Sequence, residues 1–455
     1  MNKFYFVLTS CFSLFLAVYL FAGNPSDAKK NWPQWRGPDA TGVAPNGKPP
    51  LEWSEEKNIR WKIQLPGKGL ASPIIWDNMV FILTAVQSDQ GGNLKEDVED
   101  VEDLEPQERR RRFFRGQRAK PTSVIKFTVL AINRKDGSIT WQHSPRKQVP
   151  HERTHPDGSW ASNSAVTDGK HVFADFGSNG LYCYDMKGNL KWEKDLGDMT
   201  TRNGFGEGSS PAVYNDKLVI NWDHEGDSFI VVLDKNTGKE VWRTQRDEVT
   251  SWATPIIVEQ NGKPQVISSA TKRIRSYDLA TGKVVWESAG MTTNTIPSPV
   301  YGNGMVYAIS GFRGNALLAI RLAAAKGDIT DSEAIVWKFD RDTPYVPSPL
   351  LYDNTLYFLK SNKGILSAFN AKTGEQFYGP QRLESIKGAY ASPVGANGRV
   401  YILGRNGVTL VIKHGSKFEV LAENSLDDGF DASPAIAGNE LFLRGRKNLY
   451  CIAEK

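Results

Sequence analysis

The hydrophobic pattern of this chain comes in short bursts. Runs such as Val80-Phe81-Ile82-Leu83, Leu181-Tyr182-Cys183-Tyr184, Ile274-Arg275-Ser276-Tyr277 and Leu356-Tyr357-Phe358-Leu359 are separated by turns rich in Gly, Asn and Asp. Apolar or alternating runs of this length, bounded by turn residues, predict β-strands, because a helix needs a longer stripe repeating every three to four positions. The strands recur in a fixed order. A Ser/Thr-Pro step opens each unit, at Ser72-Pro73, Ser210-Pro211, Thr254-Pro255, Ser298-Pro299, Ser348-Pro349, Ser392-Pro393 and Ser433-Pro434, with Ser162-Asn163 assigned to the one long gap. The eight units are mostly spaced by about 41 to 50 residues, the period of a four-stranded propeller blade.

Each unit ends in a tight Gly turn followed at fixed distance by an aromatic. Asp136-Gly137 leads to Trp141, Gly188 to Trp192, Thr237-Gly238 to Trp242, Thr281-Gly282 to Trp286 and Gly374 to Tyr378. Glycine takes up positive φ in such a hairpin turn without steric penalty, and the aromatic is placed to wedge between blades. Trp61, Trp141, Trp192, Trp242, Trp286 and Trp337 are the predicted inter-blade wedges. The last unit stops at Asn448-Leu449-Tyr450-Cys451-Ile452, one strand short, while Asn58-Ile59-Arg60-Trp61-Lys62 is an isolated fourth-strand pattern ahead of the first Ser-Pro step. The predicted fold is therefore all-β: an eight-bladed β-propeller of four-stranded antiparallel blades, closed by an N-terminal strand that completes the last blade and removes an open sheet edge.

The turns Asp234-Lys-Asn-Thr-Gly238 to Trp242 and Asp278-Leu-Ala-Thr-Gly282 to Trp286 resemble the docking turn of the quinoprotein-type (PQQ-like) propeller repeat family. Asn31-Trp32-Pro33-Gln34-Trp35-Arg36-Gly37-Pro38 resembles the opening of secreted proteins that carry this propeller alone. The resemblance implies two alternatives of different kind. In quinoprotein alcohol dehydrogenases the quinone sits in the central channel over calcium, usually against vicinal cysteines; no Cys-Cys and no Cys-x-x-Cys-His haem site occurs here. The propeller lipoprotein of the outer-membrane barrel-assembly machinery binds partners and performs no chemistry. The reading adopted is an exported non-catalytic scaffold with no cofactor, the alternative being a PQQ- and calcium-dependent alcohol or sugar dehydrogenase.

Composition narrows this further. Met1 to Lys3 followed by the apolar run Phe4 to Ala22 reads as a signal peptide spanning 1–28, with cleavage between 22 and 28 and a single propeller over 29–455. The chain is thus expected in the periplasm or outside the cell, with membrane contact only if that segment is retained. Cys183 and Cys451 fall at equivalent positions of blades that are not neighbours, so buried free thiols are expected rather than a disulfide. A net charge of +5 is too modest to imply nucleic acid, and a monomer is expected.

In a propeller the inter-blade segments and the turns between second and third strands share one face around the channel mouth. The inter-blade segments carry Trp160, Arg202, Asn203, Glu207, Trp252, Asn294, Tyr345, Tyr390 and Asp431, aromatic and polar groups suited to a small polar ligand or peptide. The second-to-third-strand turns of blades four to eight carry Lys272 and Arg273, Arg313, Lys363, Arg405, and Arg446 with Lys447, a basic arc suited to an anionic polymer or an envelope protein. In blade one that turn is replaced by a charged insertion at about 87–122, running from Glu96 to Asp103 and through Arg109 to Arg112. Its low apolar content predicts a solvated tract, whose acidic half would shield the basic arc. Asp223 and Asp227, within Asp223-His224-Glu225-Gly226-Asp227, are the weak metal-ligand candidates; their spacing matches no calcium loop. No catalytic residue is assigned.

Overall fold

The computed structural model describes residues 28–88 and 120–454. The signal-peptide segment up to Asp27 and the charged tract from Glu96 to Arg112 lie outside the described residues. Eight sheets form the ring, and blade three shows the common plan: Ala212–Tyr214, Lys217–Trp222, Phe229–Asp234 and Glu240–Gln245 pair antiparallel in sequence order from the channel outward. Blade eight is built from Ala435–Ala437, Glu440–Arg444 and Asn448–Ile452, with Ile59–Gln64 paired antiparallel to the last of these, Trp61 opposite Cys451. The predicted closure by an N-terminal strand is thus the one formed.

The turn glycines and the tryptophans explain each other. A Cβ on Gly238, at φ +69°, would lie 2.7 Å from the Trp192 ring, and one on Gly374, at φ +76°, would lie 2.7 Å from Trp337. Each tryptophan of one blade rests on the bare turn of the next and donates its indole N–H to a carbonyl there: Trp61 to Arg134, Trp141 to Met186, Trp192 to Lys235, Trp242 to Leu279 and Trp337 to Ala371. Trp286 departs from the rule because blade five replaces the tight turn by a longer segment between Arg321 and Ile335. That segment adds Gly327–Asp328 as a fifth, parallel strand on the outer edge of blade four. It buries Trp286 completely but leaves its indole nitrogen without a partner. Cys183 and Cys451 are both buried and free, and burial pushes each thiol up to about 12.

The segment after Ala28, which carries no strand-like alternation, crosses the face opposite the mouth and ties to blades one, two, six, seven and eight. Trp32 exchanges both backbone bonds with Ile75 of blade one, and Pro33 accepts from Thr167 of blade two. Thr41 accepts from Leu351 of blade six, Val43 pairs parallel with Gly395 of blade seven, and Lys48 donates to Gly438 of blade eight. Arg36, buried between blades six and seven, donates to the carbonyls of Pro393 and Pro349, each at 2.8 Å. Among the described residues no helix is long and apolar enough to cross a membrane.

Candidate functional site

The Ser/Thr that opens each unit is a structural device as well as a repeat marker. Proline holds the preceding residue extended, and the hydroxyl then accepts a backbone N–H from the neighbouring blade. Ser72 N–H donates to Ser164 Oγ, Ser164 to Ser210, Ser210 to Thr254 and Thr254 to Ser298, at 2.8 to 3.0 Å. The relay continues through Ser298 to Ser348, Ser348 to Ser392 and Ser392 to Ser433, each at 2.9 Å. In blade two the member is Ser164, followed by Ala165, and not the Ser162-Asn163 step assigned from spacing; the hydroxyl is retained although the proline is lost. Between blades eight and one the relay is open. Ser72 Oγ is buried without a partner, and Arg444 occupies the seam, donating to the carbonyls of Ala71 and Leu83 at 2.9 and 2.8 Å.

Ser72, Ser164, Ser210, Ser392 and Ser433 of this ring, with Trp35 of the crossing segment, line a cavity of about 220 Å³ on the mouth side. Its walls include Phe205, Trp252, Tyr345 and Tyr390, with the acids Asp157, Glu207 and Asp431. Of the predicted mouth residues, Glu207, Trp252, Tyr345, Tyr390 and Asp431 converge on it. Trp160 instead covers a smaller pocket under the blade-two segment, its indole N–H bonded to Glu152 O. Arg202 and Asn203 sit in a short turn beside the cavity, Asn203 exposed at φ +55°. Asn294, at φ +58°, is buried behind Tyr345.

Asp157 and His155, which pattern reading did not select, complete the site. They belong to the long segment between blades one and two, which reaches over the mouth to blade seven. Asp157 binds Arg405 at 2.7 Å and accepts from Tyr390 Oη at 3.1 Å. Arg405 also binds Asp431 at 2.6 Å and lies over the Tyr390 ring, 4.1 Å from its centre; Asp431 binds Arg446 at 2.8 Å. Asp157–Arg405–Asp431–Arg446 is thus an alternating ladder along the rim. His155 packs edge-on against Phe205, and burial lowers its pKa.

Glu207 has no cation beside it among the described residues. Burial pushes its carboxyl up to about 8, against the opposing effect of hydrogen bonds from the hydroxyl and N–H of Ser178, with Asp175 adding repulsion. Asp175 is likewise pushed up to about 6 by burial, moderated by Gly177 N–H and Asn163. Both carboxyls therefore titrate far above the range of exposed acids. Asp223, a weak metal candidate, spends its oxygens on Arg246, at 2.6 and 3.0 Å, and on Ser251 at 2.6 Å, while Asp227 is exposed. Among the described residues no group of three His, Cys, Asp or Glu side chains is placed to hold a metal ion.

The basic turns fall where the spacing put them, but they are not uniformly free. Arg405 and Arg446 belong to the rim ladder, and Arg273 binds Asp328 of the fifth strand at 3.0 Å. Lys272, Arg313 and Lys363 are exposed on their turns, Arg313 lying 5.4 Å from the centre of the Phe312 ring. The arc thus keeps exposed charge on blades four to six, and Lys447 is exposed beside Arg446 on blade eight.

A family profile described as outer membrane protein assembly factor BamB matches the sequence in two overlapping stretches, residues 126–377 and 226–455. Among solved structures, BamB from Moraxella catarrhalis superposes with a TM-score of 0.54 at 14% identity, covering 87% of this chain and 99% of that one. A europium-containing methanol dehydrogenase superposes with a TM-score of 0.61 at 10% identity, covering 92% of this chain and 90% of that one. At these identities the likeness is one of fold, and it extends equally to an assembly factor and an enzyme. No curated protein matches the sequence significantly.

Proposed function

The chain belongs to the propeller family of outer membrane protein assembly factor BamB, and from that premise we propose that it is an exported, monomeric, non-catalytic scaffold binding an envelope or secreted partner through its mouth face. The observation that carries this reading is the mouth cavity itself: aromatic walls beside ring serines, with Asp157, Arg405, Asp431 and Arg446 already neutralising one another. Such a surface holds an inserted side chain or small polar group by shape and apolar contact. The exposed bases Lys272, Arg313 and Lys363 add attraction for an acidic flank of the partner.

A resident quinone over a divalent cation, as in the dehydrogenase alternative, needs ionised carboxylates free to coordinate. Asp157 and Asp431 are held by arginines here, so those two carboxylates are engaged and not free to coordinate. These pairings favour the scaffold over a resident quinone and cation.

The test is affinity capture from the protein's own envelope extract with the full exported chain, comparing the unaltered protein with Trp252→Ala/Tyr390→Ala. A partner retained by the first and lost by the second supports the proposal; equal retention refutes the mouth face. In parallel, a rise in Tm with calcium and quinone together with dye reduction by alcohols would establish the dehydrogenase instead.

A further inference from the structure

On the face opposite the mouth lies a second and larger cavity, about 520 Å³, between the crossing N-terminal segment and the inner strands of blades three, four and five. Its walls are largely apolar, with Val213, Ile257, Pro299 and Tyr301 facing Trp35 across it. Two features set this half of the channel apart.

The first is the backbone. The crossing segment bonds to the inner strands, or the turns beside them, of blades one, two, six, seven and eight. The inner strands of the remaining blades, Ala212–Tyr214, Ile256–Gln260 and Val300–Gly302, form no backbone bond outside their own sheets among the described residues. Their channel-facing edges are open, and the chain itself shows how such an edge is used: Val43 runs parallel along Gly395, with Ala44 N–H on Gly395 O and Gly395 N–H on Gly42 O, both at 2.9 Å.

The second is Arg36. Arg36 is among the residues that line the cavity; its side chain is buried, its Nε has no partner and it forms no ion pair among the described residues. Two of its five N–H donors are spent on the carbonyls of Pro349 and Pro393. A buried guanidinium without a counter-charge is destabilising unless an anion reaches it. Arg444 is also buried on carbonyls alone, but it sits in the seam between blades eight and one and lines neither of the two large cavities.

We propose that this cavity binds the C-terminal end of an extended apolar peptide, its backbone adding to an open inner strand of blades three to five and its terminal carboxylate meeting Arg36. Edge addition gives such a complex its affinity and the apolar wall its preference for small branched side chains. The acids Asp39 and Glu259, exposed at the rim, disfavour peptides with acidic residues upstream of the terminus. This site is separate from the mouth, so it stands or falls independently of the scaffold reading.

The experiment selects, on the full chain, from a pool of N-acetylated pentapeptides of Ala, Val, Leu, Ile and Phe made both as free acids and as C-terminal amides. The tightest binder is then titrated by calorimetry. Arg36→Ala would also remove two ties between blades six and seven, so the decisive variant is Ile257→Glu, which places a carboxylate on the wall and leaves those ties intact. The expected result is retention of free acids, at least tenfold weaker binding of the matching amide and of Ile257→Glu, and slowed amide exchange at 212–214, 256–258 or 300–302. Equal binding of acid and amide, undiminished binding to Ile257→Glu, absence of any retained peptide, or equally effective competition by octanoate overturns the proposal.

Discussion

Replacing Glu207 by Gln turns the cavity's unpaired acid into a probe of the site. The carboxyl is pushed from an ordinary 4.5 up to about 8 by burial. The folded protein therefore holds a proton there that the unfolded chain releases near pH 4.5. Stability contributed by this proton is complete below pH 4.5 and is lost as pH rises through about 8. At about 1.4 kcal/mol per pH unit, a fully sheltered group would contribute about 5 kcal/mol, and partial exposure to the cavity reduces this to about 2 to 4 kcal/mol. Glutamine keeps the shape, accepts from Ser178 N–H, donates to Ser178 Oγ and carries no charge to expel. With an unfolding entropy of about 2 cal/mol/K per residue, a ring of this size gains about 1 °C in Tm per kcal/mol. Glu207→Gln is thus expected to match the unaltered protein in Tm at pH 5 and to exceed it by about 2 to 5 °C at pH 9. The slope that remains below pH 7 belongs to Asp175, pushed up to about 6. Differential scanning calorimetry at pH 5, 7 and 9 checks this, and a Tm difference independent of pH, or a loss at pH 9, would refute the reasoning.

Gly238→Ala forces a Cβ to 2.7 Å from Trp192 at φ +69°, and denaturant unfolding should show a loss of about 2 to 4 kcal/mol. Ser348→Ala strands the buried N–H of Ser298, at about 1 to 3 kcal/mol in the same assay; an unchanged midpoint would mean that the hydroxyl relay does not tie the ring. Cys183 and Cys451, buried and held near 12, should resist a thiol-reactive dye at pH 8 until the protein is unfolded, whereupon both label.

The blade count was legible because each unit repeats local chemistry: a hydroxyl before proline, a bare turn glycine, a tryptophan. Those features recur because each makes a contact with the next blade, and a contact repeated around a ring becomes a period in sequence. Ser164 was missed because only the proline marks the step in the other blades, whereas the physical requirement is the hydroxyl. The crossing segment from Trp32 to Lys48 was invisible as structure, since it bonds to five different blades, one contact at a time, and so shows no periodicity. The mouth acids and aromatics Glu207, Trp252, Tyr345, Tyr390 and Asp431 were reachable from topology alone, because their loops must surround the channel. Asp157 and His155 were not, because the loop between blades one and two is long enough to reach blade seven, and nothing local in the sequence encodes that reach. The pairing of Arg405 and Arg446 is hidden in sequence for the same reason: Asp431 is visible there, but its placement between them is not.

The central claim, that this propeller works as a scaffold through its mouth face, is tested most directly by hydrogen–deuterium exchange on the purified protein with the partner captured from its envelope. The account predicts that protection on binding is confined to the mouth, at residues 153–160, 202–208, 250–253, 343–346, 388–391 and 428–432. Protection on the outer strands, with the mouth segments unchanged, would contradict it.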